Sequence, residues 1–146
     1  MAALLGSYLK KPFAQRHGVG LVLAECHESL QVRIDTQRFE QVMTNLLSNA
    51  VKFSPKSADV TIEASLEGTC VRIRVTDKGA GIPIEFQPRV FEKFAQASAG
   101  NTREQGGSGL GLAICKEITE RMGGSIEFTS SAKGTEFSVL LPNVNK

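Results

Sequence analysis

Only three of the 146 residues are cysteine, and Cys26, Cys70 and Cys115 are odd in number and far apart. That argues against a disulfide scaffold and for thiols that act as small apolar residues in a reducing compartment. The formal net charge is +2, and no run of Lys and Arg is dense enough to follow a phosphate backbone, so no nucleic-acid partner is expected. No stretch approaches the roughly 20 apolar residues of a membrane helix. The apolar part of MAALLGSYLKK is also too short for a secretory signal. The expectation is a soluble, cytoplasmic chain, one that could be cut from an anchored parent. There is no internal repeat and no low-complexity tract. What remains, 41% hydrophobic and 22% charged residues, is the composition of a folded protein at the length of one domain spanning residues 1–146.

Residues 1–17 read as a helical lead-in, with Pro12 in a turn or at a break. GVGLVLAE and QVRID read as short strands, and Asp35 is a suitable N-cap for a helix beginning at Thr36. In DTQRFEQVMTNLLSNAVKF, the residues Phe39, Val42, Met43, Leu46, Leu47 and Ala50 fall on one face of an amphipathic helix. Val60, Ile62, Ala64 and Leu66, then Val71, Ile73 and Val75, alternate as the two strands of a hairpin turning near residues 67–69. IEFQPRVF reads as a short helix. ASAGNTREQGGSG is polar, aperiodic and rich in small residues, so residues 95–108, with almost no apolar side chain to bury, are expected to form a poorly ordered loop. Leu110, Ile114, Ile118 and Met122 step by four along a further helix that Gly123 and Gly124 end. SIEFTSS and TEFSVLL form a last hairpin. This order predicts a two-layer α/β sandwich: a mixed, mainly antiparallel sheet packed on helices on one face.

Three places carry chemistry. Asn45, Asn49 and Lys52 share one stripe of the long helix, about 120° from the apolar one. Such a stripe is either a solvated face or a site where an amide oxygen holds a divalent cation and a lysine meets phosphate. Phe53 falls between the stripes, as core or as an aromatic wall for a base. Asp77 continues the inward phase of Val71, Ile73 and Val75, which aims a carboxylate at the interior where a strand ends. It either caps its own turn or grips a donor such as an exocyclic amine, with Gly79 and Gly81 letting backbone pass close by. Thr135 precedes Phe137, Val139 and Leu141 in the same inward phase.

The third place is GGSGLGLAI, a glycine loop that contains no lysine. It fits neither the P-loop pattern nor the dinucleotide fingerprint, since a polar loop and not a strand precedes Gly107, Gly109 and Gly111. Glycines running into a helix still present N–H groups at the positive end of its dipole, which suits an anion; a flexible hinge fits the same residues.

In this order the motifs resemble the ATP-binding catalytic domain of sensor histidine kinases, within the group that includes DNA gyrase, the MutL repair proteins and heat-shock chaperones. The likeness runs from Asp35 to Pro142. NLLSNAVKF is similar to that family's N box, DKGAGI to its G1 box, FEKF to its F box and GGSGLGLAI to its G2 box. The Gly134-Thr135 turn is similar to its last element.

The resemblance implies the Bergerat-type fold, with ATP and Mg2+ as ligands. It implies that Asn49 ligates magnesium with help from Asn45, that Lys52 meets phosphate, that Phe53 lines the base pocket and that Asp77 bonds the adenine amine. Gly79, Gly81, Ile82 and Thr135 would shape that pocket. Residues 92–108 would form a lid, anchored by Phe91 and Phe94, with Gly107, Gly109 and Gly111 letting it fold over the triphosphate and Leu110 and Leu112 among the nucleotide-binding residues. Arg103 would reach the terminal phosphate, as in hybrid-type kinases, although Ser98 stands where an aspartate is frequent.

ATP-hydrolysing members of the group resemble one another in having glutamate where this chain has Asn45, and an amide cannot act as a base for water. The resemblance therefore favours a kinase over an ATPase. The acceptor histidine of such kinases stands before an acidic residue, Arg and Pro, a pattern that His17 lacks and His27 matches only at Glu28. The chain is expected to be a monomeric fragment whose histidine-bearing dimerisation domain lies elsewhere, with a response-regulator receiver domain as the downstream partner.

Overall fold

The computed structural model describes residues 1–10, 14, 16–27, 29–93 and 111–144. In chain order these form helix α1 (Ala2–Ser7), strand β1 (Gly20–Cys26), helix α2 (Thr36–Phe53), strands β2 (Asp59–Glu67) and β3 (Cys70–Thr76), helix α3 (Gly111–Arg121) and strands β4 (Ser125–Ser131) and β5 (Gly134–Pro142). Short 3-10 turns cover Tyr8–Lys10 and Gln87–Arg89.

Asp35 starts α2 by accepting the N–H groups of Gln37 at 3.0 Å and Arg38 at 3.3 Å, which satisfies two of the donors a helix start leaves open. All six residues of the expected apolar face are buried, with Val51 added. Each of the larger side chains contributes about 1.5–3 kcal/mol when fully removed from water, and Ala50 less.

The sheet has the order β1-β2-β3-β5-β4. Among the described residues β1 and β2 run parallel, joined across α2, and the pairings of β2 with β3, β3 with β5 and β5 with β4 are antiparallel. Val60, Ile62 and Ala64 on β2 and Val71, Ile73 and Val75 on β3 are buried in strict alternation; Phe137, Val139 and Leu141 on β5 keep the same phase, with Ser138 between them buried as well. Helix α2 packs on β2 and β3, and α3 packs on β4 and along α2. The alternate residues form a polar face, where Arg72 pairs with Glu67 and Glu127 and Arg74 with Glu136 and Ser65. The expected two-layer sandwich is the architecture found.

Two expected elements differ. QVRID is not a strand: Val32 makes one isolated bridge to Asn143. Its alternation is met by burying Leu30 and half-burying Val32 and Ile34 along an extended segment, which needs no ladder. IEFQPRVF is not a continuous helix but a turn followed by the 3-10 stretch, because Pro88 lacks an N–H and its ring would meet the carbonyl of Ile84 in an α-helix. In the lead-in, helix is found at α1, and Leu5, Tyr8 and Ala14 join the core; Pro12 lies outside the described residues. Of the three thiols only Cys115 is fully buried.

The two faces of α2 make separable demands. Leu46→Ala should cost about 2–5 kcal/mol in urea unfolding. Asn49→Ala should stay within about 0.5 kcal/mol of the wild type. Equal losses would contradict this division of the helix.

Candidate functional site

Asp77 stands where β3 leaves the sheet, and the residue is 8% exposed. The Gly79 N–H donates to its Oδ1 at 2.8 Å and the Thr135 N–H to the same oxygen at 3.3 Å. Its own N–H donates to the Thr135 carbonyl at 2.9 Å, which extends the β3–β5 pairing by one residue. Among the described residues no donor reaches Oδ2. Both readings of the sequence are therefore present in one carboxylate: one oxygen caps the turn and the other is left for a donor. Burial raises its pKa above the ordinary value, and the two backbone N–H groups offset part of that rise.

Close backbone approach builds the surroundings. A Cβ on Gly79 would overlap the carbonyl of Phe53, and one on Gly134 would overlap the carbonyl of Asp77. These contacts hold the turn after β3 between the end of α2 and the β4–β5 hairpin. Gly134 also adopts φ +142°, which favours glycine. Gly81 has φ +88°, and the next N–H, that of Ile82, donates to Ser130 Oγ at 2.7 Å. Ser130 Oγ lies 2.8 Å from Thr135 Oγ1, and Gln87 Nε2 donates to the Ile82 carbonyl at 3.0 Å. Phe91 packs edge-on against Phe128 and Phe137, with ring centroids 5.9 and 6.1 Å away, and so fixes the end of this segment to the sheet.

On α2, Asn45, Asn49 and Lys52 are all half-buried. Asn45 turns toward α3: its Nδ2 donates to the Gly111 carbonyl at a long 3.4 Å, and its amide lies beside Cys115. Burial pushes that thiol up to about 12, and it donates to the Val42 carbonyl. Asn49 and Lys52 have no hydrogen-bonding or ionic partner among the described residues. Phe53 is 49% exposed, so it is not core. Its carbonyl touches Gly79, which brings the polar stripe of α2 and the Asp77 carboxylate to the same end of the molecule.

The structure thus gathers Asn49, Lys52, Phe53, Asp77, Gly79, Gly81, Ile82 and Thr135 around one region, with Asn45, Gly111 and half-buried Leu112 at the α2–α3 junction beside it. Phe94, Arg103, Gly107, Gly109 and Leu110 lie outside the described residues, as does most of the expected lid. Among the described residues no group of three His, Cys, Asp or Glu side chains could hold a metal ion. A groove of about 330 Å³ lined by Asp35, Arg38, Glu117 and Arg121 sits near the start of α2. That is roughly 20 Å from Lys52 at 1.5 Å per helical residue, and the groove takes no part in this arrangement.

Sequence reasoning missed Ser130 and Gln87. Ser130 was within reach of it: it shares the inward phase of Ile126 and Phe128, and a two-residue turn before Gly134 pairs it with Thr135.

A raised folded-state pKa means that the fold holds the Asp77 proton more tightly than the unfolded chain does. That contribution is present below the unfolded value and is lost as pH rises through the folded one. Asp77→Asn keeps an acceptor for both N–H groups and removes the dependence. Between about pH 3 and pH 6 the stability of the variant minus that of the wild type should therefore rise. A difference that stays flat would contradict the burial of a charged Asp77.

Comparison with known proteins agrees with this architecture. Residues 34–145 match the family described as histidine kinase-, DNA gyrase B-, and HSP90-like ATPase. The chain is 41% identical over 121 residues to the sensor protein EvgS of Escherichia coli K12, which covers 79% of this chain and 10% of EvgS. It is 38% identical over 136 residues to the alginate biosynthesis sensor protein KinB of Pseudomonas aeruginosa, covering 92% of this chain and 22% of KinB. Among solved structures, full-length ShkA in complex with AMPPNP superposes with a TM-score of 0.81 at 30% identity, covering 99% of this chain and 30% of ShkA. No helix among the described residues is long and apolar enough to cross a membrane. With the two-layer fold, the one-sided carboxylate and the polar stripe of α2 accounted for, the chain belongs to the histidine kinase, gyrase B and HSP90-like ATPase family, as the catalytic type of domain found in sensor histidine kinases.

Proposed function

We propose that this domain binds ATP with magnesium and donates the γ-phosphate to a histidine on a separate dimerisation domain of a parent kinase. A response-regulator receiver domain would then take the phosphoryl group. The observation that carries the reading is the Asp77 carboxylate, whose Oδ1 is held by two backbone N–H groups while Oδ2 has no donor among the described residues. An adenine amine is a donor of the right size and sign for that oxygen. The ligand of ShkA, AMPPNP, is an ATP analogue, which supports the same choice.

Phe53, half exposed beside Gly79, would wall the base. Gly81, Ile82 and Thr135 would close the pocket from the hairpin side. Lys52, at the same end of α2, would meet phosphate oxygens, and Asn49 would hold magnesium through its amide oxygen. With no cluster of acidic or imidazole ligands among the described residues, phosphates and water would complete the coordination of the ion. The metal supplies charge neutralisation when bound. Gly111, at the start of α3, offers the positive end of a helix dipole to the phosphates. Arg103, with Phe91 and Phe94 securing the lid and Gly107, Gly109, Leu110 and Leu112 at its far end, would complete the enclosure.

In the transfer, an imidazole nitrogen of the acceptor forms the new bond to phosphorus as the bond to the bridging oxygen of ADP breaks. The domain positions the donor and neutralises charge, which is most of what phosphoryl transfer requires of a protein. Asn45 in place of a carboxylate leaves no base there to activate water.

Titration with ATP and with adenosine separates the two ends of the site. Asp77→Asn should weaken both ligands by about ten- to a hundredfold, the value of one hydrogen bond to a charged group. Lys52→Met should weaken ATP on the order of tenfold and leave adenosine unchanged. Radiolabel should pass from ATP to an added histidine-bearing helical hairpin domain. No saturable ATP binding would overturn the reading. Binding without transfer would mark a nucleotide-gated interaction module, and fast phosphate release without an acceptor would mark an ATPase.

A further inference from the structure

We infer that Cys115, one residue beyond the GGSGLGLAI stretch, is a positioning residue for Asn45: with the Gly111 carbonyl it holds the amide nitrogen of Asn45 against α3 and leaves the amide oxygen as the end offered to a metal ion. The inference rests on the reading of this domain as a binder of ATP with magnesium. The two helices meet here through matched pairs. Val42 and Asn45 stand three residues apart on α2, and Gly111 and Cys115 four apart on α3, so each pair lies on one side of its helix. Cys115 is fully buried, and its Sγ donates to the Val42 carbonyl at 3.6 Å. With its single proton spent on that carbonyl, the sulfur is left as an acceptor. A hydrogen bond from the Asn45 side chain reaches it, and Asn45 Nδ2 also donates to the Gly111 carbonyl at 3.4 Å. A Cβ on Gly111 would stand 3.8 Å from Asn45 Cγ and 4.0 Å from both Nδ2 and Oδ1, so one face of the amide lies against the start of α3.

A backbone carbonyl can only accept, and this sets the sense of the amide. Turning the group over would bring Oδ1 against the Gly111 carbonyl, two acceptors face to face, and would take Nδ2 away from both of its partners. The amide nitrogen has two protons, and α3 supplies two acceptors for them, an oxygen and a sulfur. Each bond is weak alone, since one is 3.4 Å long and the other ends on sulfur. Together they hold the amide from one side. Oδ1 then has no donor among the described residues, on the same stripe that Asn49 continues one turn further along α2. A neutral amide oxygen is a suitable ligand for magnesium, and one already turned outward loses little freedom on meeting the ion. Asn49, with no partner among the described residues, is under no such constraint.

The test measures the gain in ATP affinity that magnesium gives, as the ratio of the dissociation constants in excess EDTA and in excess magnesium. The adenosine dissociation constant is measured alongside, with the melting temperature as the check that each variant is folded. Cys115→Ala should cut the magnesium gain about three- to tenfold, the value of one weak hydrogen bond, and leave adenosine unchanged. Cys115→Ser, which keeps an acceptor and a proton, should retain the gain. Cys115→Val fills the space without an acceptor, and it should repeat the loss if the alanine variant fails to fold. In an Asn45→Ala background Cys115→Ala should change the gain no further, because the thiol acts through the amide. A gain unchanged by both the Ala and Val variants, a loss that adds to that of Asn45→Ala, or equal weakening of adenosine would overturn the role of Cys115. A wild type that binds no ATP, or binds it equally with and without magnesium, would overturn the underlying reading instead.

Discussion

A buried carboxylate must be compensated, and among the described residues Asp77 is compensated on one side only. Its Oδ1 takes two backbone N–H groups, one from its own turn and one from the far hairpin, so these two segments meet at a single oxygen. Most of the local structure follows from that demand. Gly79 and Gly134 are needed because the backbones that supply and flank the donors come too close for a Cβ. The Thr135 carbonyl returns the bond by accepting the Asp77 N–H, which locks the end of β3 to the start of β5. A carboxylate fixed this tightly loses little freedom on meeting a ligand, and its remaining oxygen acts as a pre-set acceptor.

Helix α2 links this corner to the phosphate end. One face of the helix is committed to the core by seven buried side chains, and the adjoining stripe of Asn45, Asn49 and Lys52 is carried at a fixed angle by the helical repeat. Packing therefore positions the polar stripe, although the stripe itself contributes little to folding. The contact between Gly79 and the Phe53 carbonyl sets the distance between the two halves of the site. Asn45 has a different role from its neighbours in the present structure, since it turns to the start of α3 and ties the two helices together.

Periodicity was a sufficient guide wherever one face of an element is buried. The apolar stripe of α2, the inward phase of β3 running on to Asp77, and that of β5 beginning at Thr135 were all readable because burial imposes a period on the side chains. It misled where a short alternating run could bury its apolar residues without a partner strand, as QVRID does, and where Pro88 broke a helical pattern. The parallel pairing of β1 with β2 was not specified either, because strand order depends on contacts far apart in sequence. Within the site, the motif residues were found by resemblance, but Ser130 and Gln87 were not. Their importance comes from cross-strand register and from a turn carbonyl, which become visible only when the hairpin and the segment after Gly81 are placed side by side.

The central claim is that Asp77 meets a donor on the base through Oδ2 while Oδ1 stays bound to the protein. Crystals of the domain grown with magnesium and a non-hydrolysable ATP analogue test it most directly. The account predicts the exocyclic amine of adenine within hydrogen-bonding distance of Oδ2, with the Gly79 and Thr135 N–H groups still on Oδ1. An adenine ring seated away from Asp77, or a carboxylate whose second oxygen is taken up by the protein when nucleotide is bound, would contradict it.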